Sequence, residues 1–251
     1  MSGHSKWSTI KRKKSAEDAK RGKIFTRLAR EITLAARKGG GDPDLNPALR
    51  LAVEKARAAN MPKDNIERAI QRGTGEGSDS GELEEITYEG YGPHGVAILV
   101  DVVTDNKNRS LAEVKHVFSR SGGSMASVGS VLWQFEQKGL ISVDAEGVNF
   151  DELFLLAAEA GAEDVEDDGE GISIYTPREA LADVAEQIQS AGYRVEDATL
   201  TWVPKNEITL PKEEALQVMN LIEKLEDLDD VDGVSSNLEI TDEALEALQA
   251  A

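Results

Sequence analysis

The chain has 251 residues, 40% of them hydrophobic and 30% charged, with a formal net charge of −19; this suits a soluble globular protein of two or three domains. It has no cysteine, which excludes disulfides, thiolate metal sites and cysteine nucleophiles. No apolar run approaches the roughly 20 residues of a membrane span, and the polar, basic N-terminus lacks the apolar core of a secretory signal, so the cytoplasm is the expected compartment.

The charge is unevenly placed. Residues 1–80 carry 18 Lys/Arg against 10 Asp/Glu, a net of +8, whereas residues 81–251 carry 10 against 37, a net of −27. Such asymmetry predicts a basic binding module on an acidic body. The acidic part itself reads most simply as a solvated surface, one that repels phosphates and confines a polyanion to the basic face.

In chain order, residues 1–14 (MSGHSKWSTIKRKK) have no apolar period and hold Lys6, Lys11, Arg12, Lys13 and Lys14. They predict an extended basic arm, mobile when unbound. Ser15 with Asp18 resembles a capping box, from which a helix runs to about Lys38 and stops at Gly39–Gly41. Asn46 as N-cap and Pro47 at the first helical position open a second helix, which Met61-Pro62 breaks. A short third helix ends near Arg72 with Gly73 as its stop. This helical basic domain spans 15–76, and GTGEGSDSGE (73–82) reads as a flexible linker.

Beyond the linker, Ile86–Tyr91 and Val96–Val103 flank a Gly-Pro-His-Gly turn as a hairpin. A helix over Arg109–Arg120 places Leu111, Val114, Val117 and Phe118 on one side, and Val131–Phe135 reads as a further strand. Residues 138–203 then run strand 140–144, helix 150–160, strands 162–166 and 171–175, helix 178–190 and strand 193–203, the β-α-β-β-α-β order of a ferredoxin-like unit. What remains is a strand near 207–210, a helix from Pro211 to about Leu228 and a strand near 231–240. These pieces cannot bury their apolar faces alone. The expectation is therefore a discontinuous α/β domain (83–137 with 204–245) carrying the ferredoxin-like domain (138–203) as an insertion. The fold class is multi-domain α+β: an N-terminal three-helix domain plus two α/β domains, at least one ferredoxin-like.

The first helix carries the functional signal. Ile24, Phe25, Leu28, Ala29, Ile32, Ala35 and Ala36 cover an arc of about 120°, and Lys20, Lys23, Arg27, Arg30, Arg37 and Lys38 cover about 100° on the opposite side. Glu31 is the one acid near that stripe; Arg21 and Leu34 depart from the pattern. An ordinary solvated face mixes signs, so a nearly pure Lys/Arg stripe beside a basic arm points to a polyanion. Plain solvation and a membrane surface are the alternatives, and the alanine-rich end of the apolar face argues against the latter. Trp7 either stacks on an unpaired base or anchors the arm. His4 is a lone histidine without an assigned task.

Chemistry-bearing patterns are few. His4, His94 and His116 are dispersed, no metal-ligand spacing occurs, and no serine sits in a nucleophile elbow. GTGEG lacks the Lys-Ser/Thr of a phosphate loop. Asp101 and Asp105 are read as candidates for a divalent ion, as in a nuclease, although two carboxylates in an acidic chain are a weak signal. No helix-turn-helix, zinc-finger or RNP signature is present.

The motifs GHSKW (3–7), KRGKIF (20–25), MPKDNIERAI (61–70) with Arg72-Gly73, YEGYGP (88–93), TDNKNRS (104–110) and LEDLDDVDGV (225–234) stand in the order and spacing of the YebC family, which the whole chain resembles. That family includes probable transcriptional regulators of bacteria and the mitochondrial translational activator of cytochrome oxidase. The resemblance implies a helical N-terminal domain with two α/β domains and no catalytic activity; no cofactor is expected. It also implies DNA binding in transcriptional control, or ribosome binding that relieves stalling at proline-rich stretches. His94 stands where the family usually has glycine, which touches the local turn. The resemblance also draws attention to Asn106, Lys107, Asn108 and Arg109 at a strand-to-helix turn. There they either hold a phosphate or serve, through Asn106 or Asn108, as an N-cap.

The sequence thus predicts a non-enzymatic nucleic-acid-binding regulator. Its partner is DNA or ribosomal RNA, with the ribosome as the larger assembly, and it has no membrane contact and no small-molecule substrate. A protein-interaction adaptor without nucleic-acid contact and a metal-dependent nuclease are the alternative readings.

Overall fold

The structure, a computed structural model, describes residues 21–75, 83–167, 169, 171–241 and 243–244. Its described residues divide into two compact units: one formed by residues 21–83 together with 138–200, the other by 84–137 together with 201–244.

In the first unit, α1 (Arg21–Gly39), α2 (Pro47–Ala58) and α3 (Lys63–Thr74) pack around Ile32, Ala36, Leu49, Ala52, Val53, Ala56, Met61, Ile66 and Ala69. Phe25, Leu28, Ala29 and Ala35 of the predicted apolar arc lie half-buried against that cluster. Asn46 caps α2 as expected, its side chain accepting from the Leu49 amide at 3.1 Å. The predicted stop at Gly73 is corrected: Gly73 lies inside α3, and the left-handed C-cap is Gly75 (φ 83°). A Cβ on Gly73 would fall on the Thr33 carbonyl oxygen and within 2.7 Å of the Ala36 Cβ. Gly73 is therefore where α1 and α3 cross at backbone contact, and its role is close approach rather than termination. The buried Thr33 hydroxyl sits at the same crossing, donating within α1 to Ala29 and across to the Ala69 carbonyl at 3.1 Å.

The ferredoxin-like order also holds. β4 (Phe135–Val143), α5 (Phe150–Ala160), β5 (Asp164–Asp167), β6 (Ile172–Pro177), α6 (Leu181–Ser190) and β7 (Val195–Pro204) form a sheet of order β5-β6-β4-β7. The β4–β6 and β5–β6 ladders are antiparallel. Ile141, Val143, Leu153, Ala157, Ile172, Ile174, Val184 and Ile188 fill its core.

In the second unit, β1 (Glu84–Tyr91) and β2 (Ala97–Thr104) pair antiparallel with Glu84 opposite Thr104 and Tyr91 opposite Ala97. The sheet order is β3-β1-β2-β8, where β3 is Ser124–Met125 and β8 is Val231–Ser236. Both faces of β2 are covered, which explains its nearly unbroken apolar run. Ile98, Val100 and Val102 meet α4 (Lys107–Arg120) and α7 (Lys212–Glu226) through Val114, Phe118, Val218, Met219, Leu221 and Ile222. On the other face, Ala97 and Leu99 meet Val131, Phe135 and the half-buried Trp202.

Three sequence expectations change here. Leu111, placed on the apolar side of α4, is 41% exposed, while Ser110 is buried in its stead. The strand over Val131–Phe135 is a single 3-10 turn at Leu132–Gln134, with β4 beginning at Phe135. The strand near 207–210 reduces to one parallel bridge between Ile208 and Leu238. The turn between β1 and β2 is formed by Pro93–Gly95, with His94 in the left-handed region at φ 61°, a conformation glycine adopts more readily. Among the described residues, no helix is long and apolar enough to cross a membrane.

Candidate nucleic-acid interface

Helix α1 is built so that its buried side fixes the orientation of its basic side. With Ile32 and Ala36 locked in the core, Arg27, Arg37 and Lys38 are exposed and Lys23 and Arg30 half-buried. Arg37 donates through Nη1 to the Leu83 carbonyl at 2.7 Å. Arg37 and Lys38 also sit in the last helical turn, where cations complement the negative end of the helix dipole. Glu31, the acid bordering the stripe, forms an ion pair at 2.6 Å with Lys55 of α2, which also pairs with Asp197 of β7. Burial alone would lower the Lys55 pKa, but the Asp197 and Glu31 carboxylates override it and raise it. The remaining interface candidates, Lys6, Trp7, Lys11, Arg12, Lys13, Lys14 and Lys20, lie outside the described residues, as do His4 and the Ser15–Asp18 capping pair.

The second candidate set is brought together at the start of α4 and held by the fold's own acceptors. Asn106 is the N-cap: its side chain accepts from the Arg109 amide at 3.2 Å. Lys107 forms an ion pair with Glu84, and Asn108 is exposed. Arg109 donates to Asp105 at 3.1 Å and to the buried Asp230 at 2.7 Å. The same Asp230 oxygen accepts from the hydroxyls of Ser110 at 2.6 Å and Thr104 at 2.9 Å. Asp230 thus joins the TDNKNRS and LEDLDDVDGV motifs, which stand far apart in the sequence.

Sequence reasoning missed three groups: Lys55, Asp230 and Glu89. Glu89 of YEGYGP is 5% exposed, and its carboxylate accepts from the backbone amides of Gly129, Val131 (2.6 Å) and Leu132 (2.8 Å). Burial would raise its pKa; the three amides outweigh that and lower it. The available signal was a glutamate within the Gly- and Tyr-rich YEGYGP stretch, an acid that must find donors if it is buried. Asp101 is the contrasting case. Burial raises its pKa, its donors are the Thr87 hydroxyl (2.5 Å) and Trp202 indole (3.3 Å), and Asp232 and Glu85 add repulsion. Asp101 and Asp105 face different partners, and among the described residues no group of three or more His, Cys, Asp or Glu is placed to hold a metal.

Comparison with known proteins finds two family matches along the chain. Residues 5–76 match the family described as the TACO1/YebC protein N-terminal domain, and residues 83–238 the family of the TACO1/YebC second and third domain. A relative from Acidithiobacillus ferrooxidans is 54% identical over 250 residues, covering 100% of this chain and 99% of its own. One from Rubrobacter xylanophilus is 52% identical over 245 residues, covering 98% of each. Both are named probable transcriptional regulatory protein. The crystal structure of a conserved hypothetical protein from Aquifex aeolicus is 46% identical and superposes with a TM-score of 0.83, over 90% of this chain and 93% of that one. Two family matches that together span nearly the whole sequence, and relatives alike over their full length, place this chain in the TACO1/YebC family.

Proposed function

We propose that the chain is a non-enzymatic regulator of gene expression that acts in the cytoplasm by binding nucleic acid, RNA in preference to duplex DNA. Contact is through the arm of residues 1–14 and the basic side of α1, without cofactor, membrane contact or small-molecule substrate. The observation that carries the reading is charge segregation: a net +8 over residues 1–80, with Arg27, Arg37 and Lys38 exposed opposite the core-facing side of α1, on a body of net −27. The names of the relatives support regulation as the task. The preference for RNA, ribosomal RNA on the ribosome included, follows from that body, which a long duplex would have to lie against, and from the lack of a groove-reading motif.

The test is binding of the full chain to a ribosomal RNA fragment and to duplex DNA of equal length, between roughly 50 and 200 mM salt. With about six phosphates neutralised, log K falls against log salt with a slope of about −4 to −5. Lys11→Glu, Arg12→Glu, Lys13→Glu, Lys14→Glu and Arg27→Glu combined weaken binding by at least about tenfold and flatten that slope. Unchanged binding by this variant overturns the reading. The adaptor reading has one observation in its favour, the exposed Phe154 (44%) and Leu155 (62%) on α5. If Leu155→Glu abolishes regulation in cells while RNA binding is intact, the adaptor reading replaces the first.

A further inference from the structure

Residues 114–135 contain no aspartate or glutamate, although residues 81–251 hold 37. The stretch carries Lys115 and Arg120 and is flanked by Glu113 and Glu136. It is the one long interval in the acidic part of the chain that does not repel a polyanion.

The second half of this interval forms a loop, residues 126–133, that the fold holds firmly. The Ala126 amide donates to the Glu89 carbonyl at 2.8 Å, and the Glu89 carboxylate takes the amides of Gly129, Val131 and Leu132. The Tyr91 hydroxyl donates to the Ser130 carbonyl at 3.2 Å, and Val131 is fully buried beneath the loop. A loop anchored this way keeps its shape without a partner, so little ordering entropy remains to be lost on binding.

Its outer side is nevertheless apolar. Val128 is 94% exposed and Trp133 67% exposed. The Trp133 indole N–H donates to the Ser130 carbonyl at 3.0 Å, so its one polar atom is satisfied within the loop and the exposed remainder is aromatic surface. Lys205 reaches the same place, its ammonium donating to the Trp133 carbonyl at 3.0 Å with two N–H groups left over. A fixed, exposed aromatic ring with a cation at its own backbone carbonyl, over a Glu89 carboxylate already engaged by three backbone amides, has the composition of a stacking platform for an unpaired base.

We propose that this loop is a second nucleic-acid contact: Trp133 stacks on an unpaired base of single-stranded RNA and Lys205 engages the neighbouring phosphate. The proposal rests on the nucleic-acid reading above and adds single-strand recognition to it. The arm and α1 supply charge attraction common to any polyanion, while the Trp133 loop discriminates unpaired from paired RNA, because a duplex keeps its base faces covered.

The experiment uses the full chain with a fluorescein-labelled single-stranded oligoribonucleotide and the same strand annealed to its complement. Trp133→Ala weakens single-strand binding by about tenfold and leaves duplex binding unchanged, whereas Trp133→Phe, which keeps a ring, stays within about threefold of the parent. Lys205→Gln weakens single-strand binding by a smaller factor and lowers its salt slope by roughly 0.7. Trp133→Ala binding the single strand as tightly as the parent overturns the loop proposal while leaving the charge-based reading intact. A parent chain that binds neither probe overturns both. Loss of a co-purifying protein from Trp133→Ala, with single-strand affinity unchanged, overturns the proposal in favour of a protein partner.

Discussion

Glu89 and Asp101 stand on neighbouring strands of one sheet, on the same face, since Thr87 pairs with Asp101 and Glu89 with Leu99. Their surroundings push them in opposite directions. Glu89 is the more deeply buried in surface area, yet its pKa is lowered, because three backbone amides are aimed at its two oxygens. Asp101 meets only a hydroxyl and an indole N–H, with Asp232 and Glu85 nearby, and its pKa is raised. Burial opposes the charge at both sites; the donors that meet it and the carboxylates beside it separate the two. One end of the face is organised around a charge, and the other tolerates one.

The largest test of that contrast is Glu89→Gln. The amide side chain keeps one acceptor oxygen and turns an NH2 group toward backbone donors, leaving buried N–H groups unpaired. We expect a loss of about 2–4 kcal/mol in urea unfolding at neutral pH, with faster hydrogen exchange at the amides of Gly129, Val131 and Leu132. The pH dependence fixes the mechanism. The folded pKa of Glu89 lies below its ordinary value of 4.5, so its stabilisation is present above that value and disappears as pH falls through the folded pKa. The gap between parent and Glu89→Gln should therefore narrow only below about pH 4.5. A gap that is constant down to the acid limit would show that shape, not charge, holds the loop.

Asp101→Asn is the smaller test and has the opposite sign. Asparagine retains the oxygen that accepts from Thr87 and Trp202 and removes the charge that burial, Asp232 and Glu85 disfavour. The variant should be as stable as the parent or more stable, by less than about 1 kcal/mol at pH 7. Because the folded pKa of Asp101 is raised above 3.8, acidification relieves the parent of the same burden, and the difference vanishes as pH falls through that raised pKa. Destabilisation by Asp101→Asn would mean that the carboxylate has a donor beyond Thr87 and Trp202.

Legibility in the sequence followed the range of the interactions. The β-α-β-β-α-β run was readable because period, caps and turns are local properties, and the same holds for the hairpin and the Asn46 cap. The Val131–Phe135 segment misled because its alternation suits a strand, yet the amides of Val131 and Leu132 go to Glu89, some 40 residues earlier in the chain. Gly73 looked like a stop because what it accommodates, the Thr33 carbonyl, belongs to another helix. The candidate site divides the same way. The basic stripe of α1 is a periodicity and was visible, whereas the engagement of Lys107 and Arg109 depends on Glu84 and Asp230, which no local pattern links to them. Trp133 stood in the open sequence without a signal, since only the fold determines that Val131 turns inward and the indole outward.

The smallest expected effect concerns that outward ring. If the loop is held by Glu89 from beneath, nothing in its stability requires Trp133, whose indole is 67% exposed and bonds only within its own turn. Trp133→Ala should then alter unfolding stability by no more than about 0.5 kcal/mol, as surface substitutions do. Amide protection at Val131 and Leu132 should also match the parent. A ring that is dispensable for folding yet held in a fixed place is free to be occupied by a ligand. A loss of 2 kcal/mol or so on truncation would instead make Trp133 a structural cover for the Val131 and Phe135 cluster, and the division between an anchoring carboxylate below and a contact surface above would no longer stand.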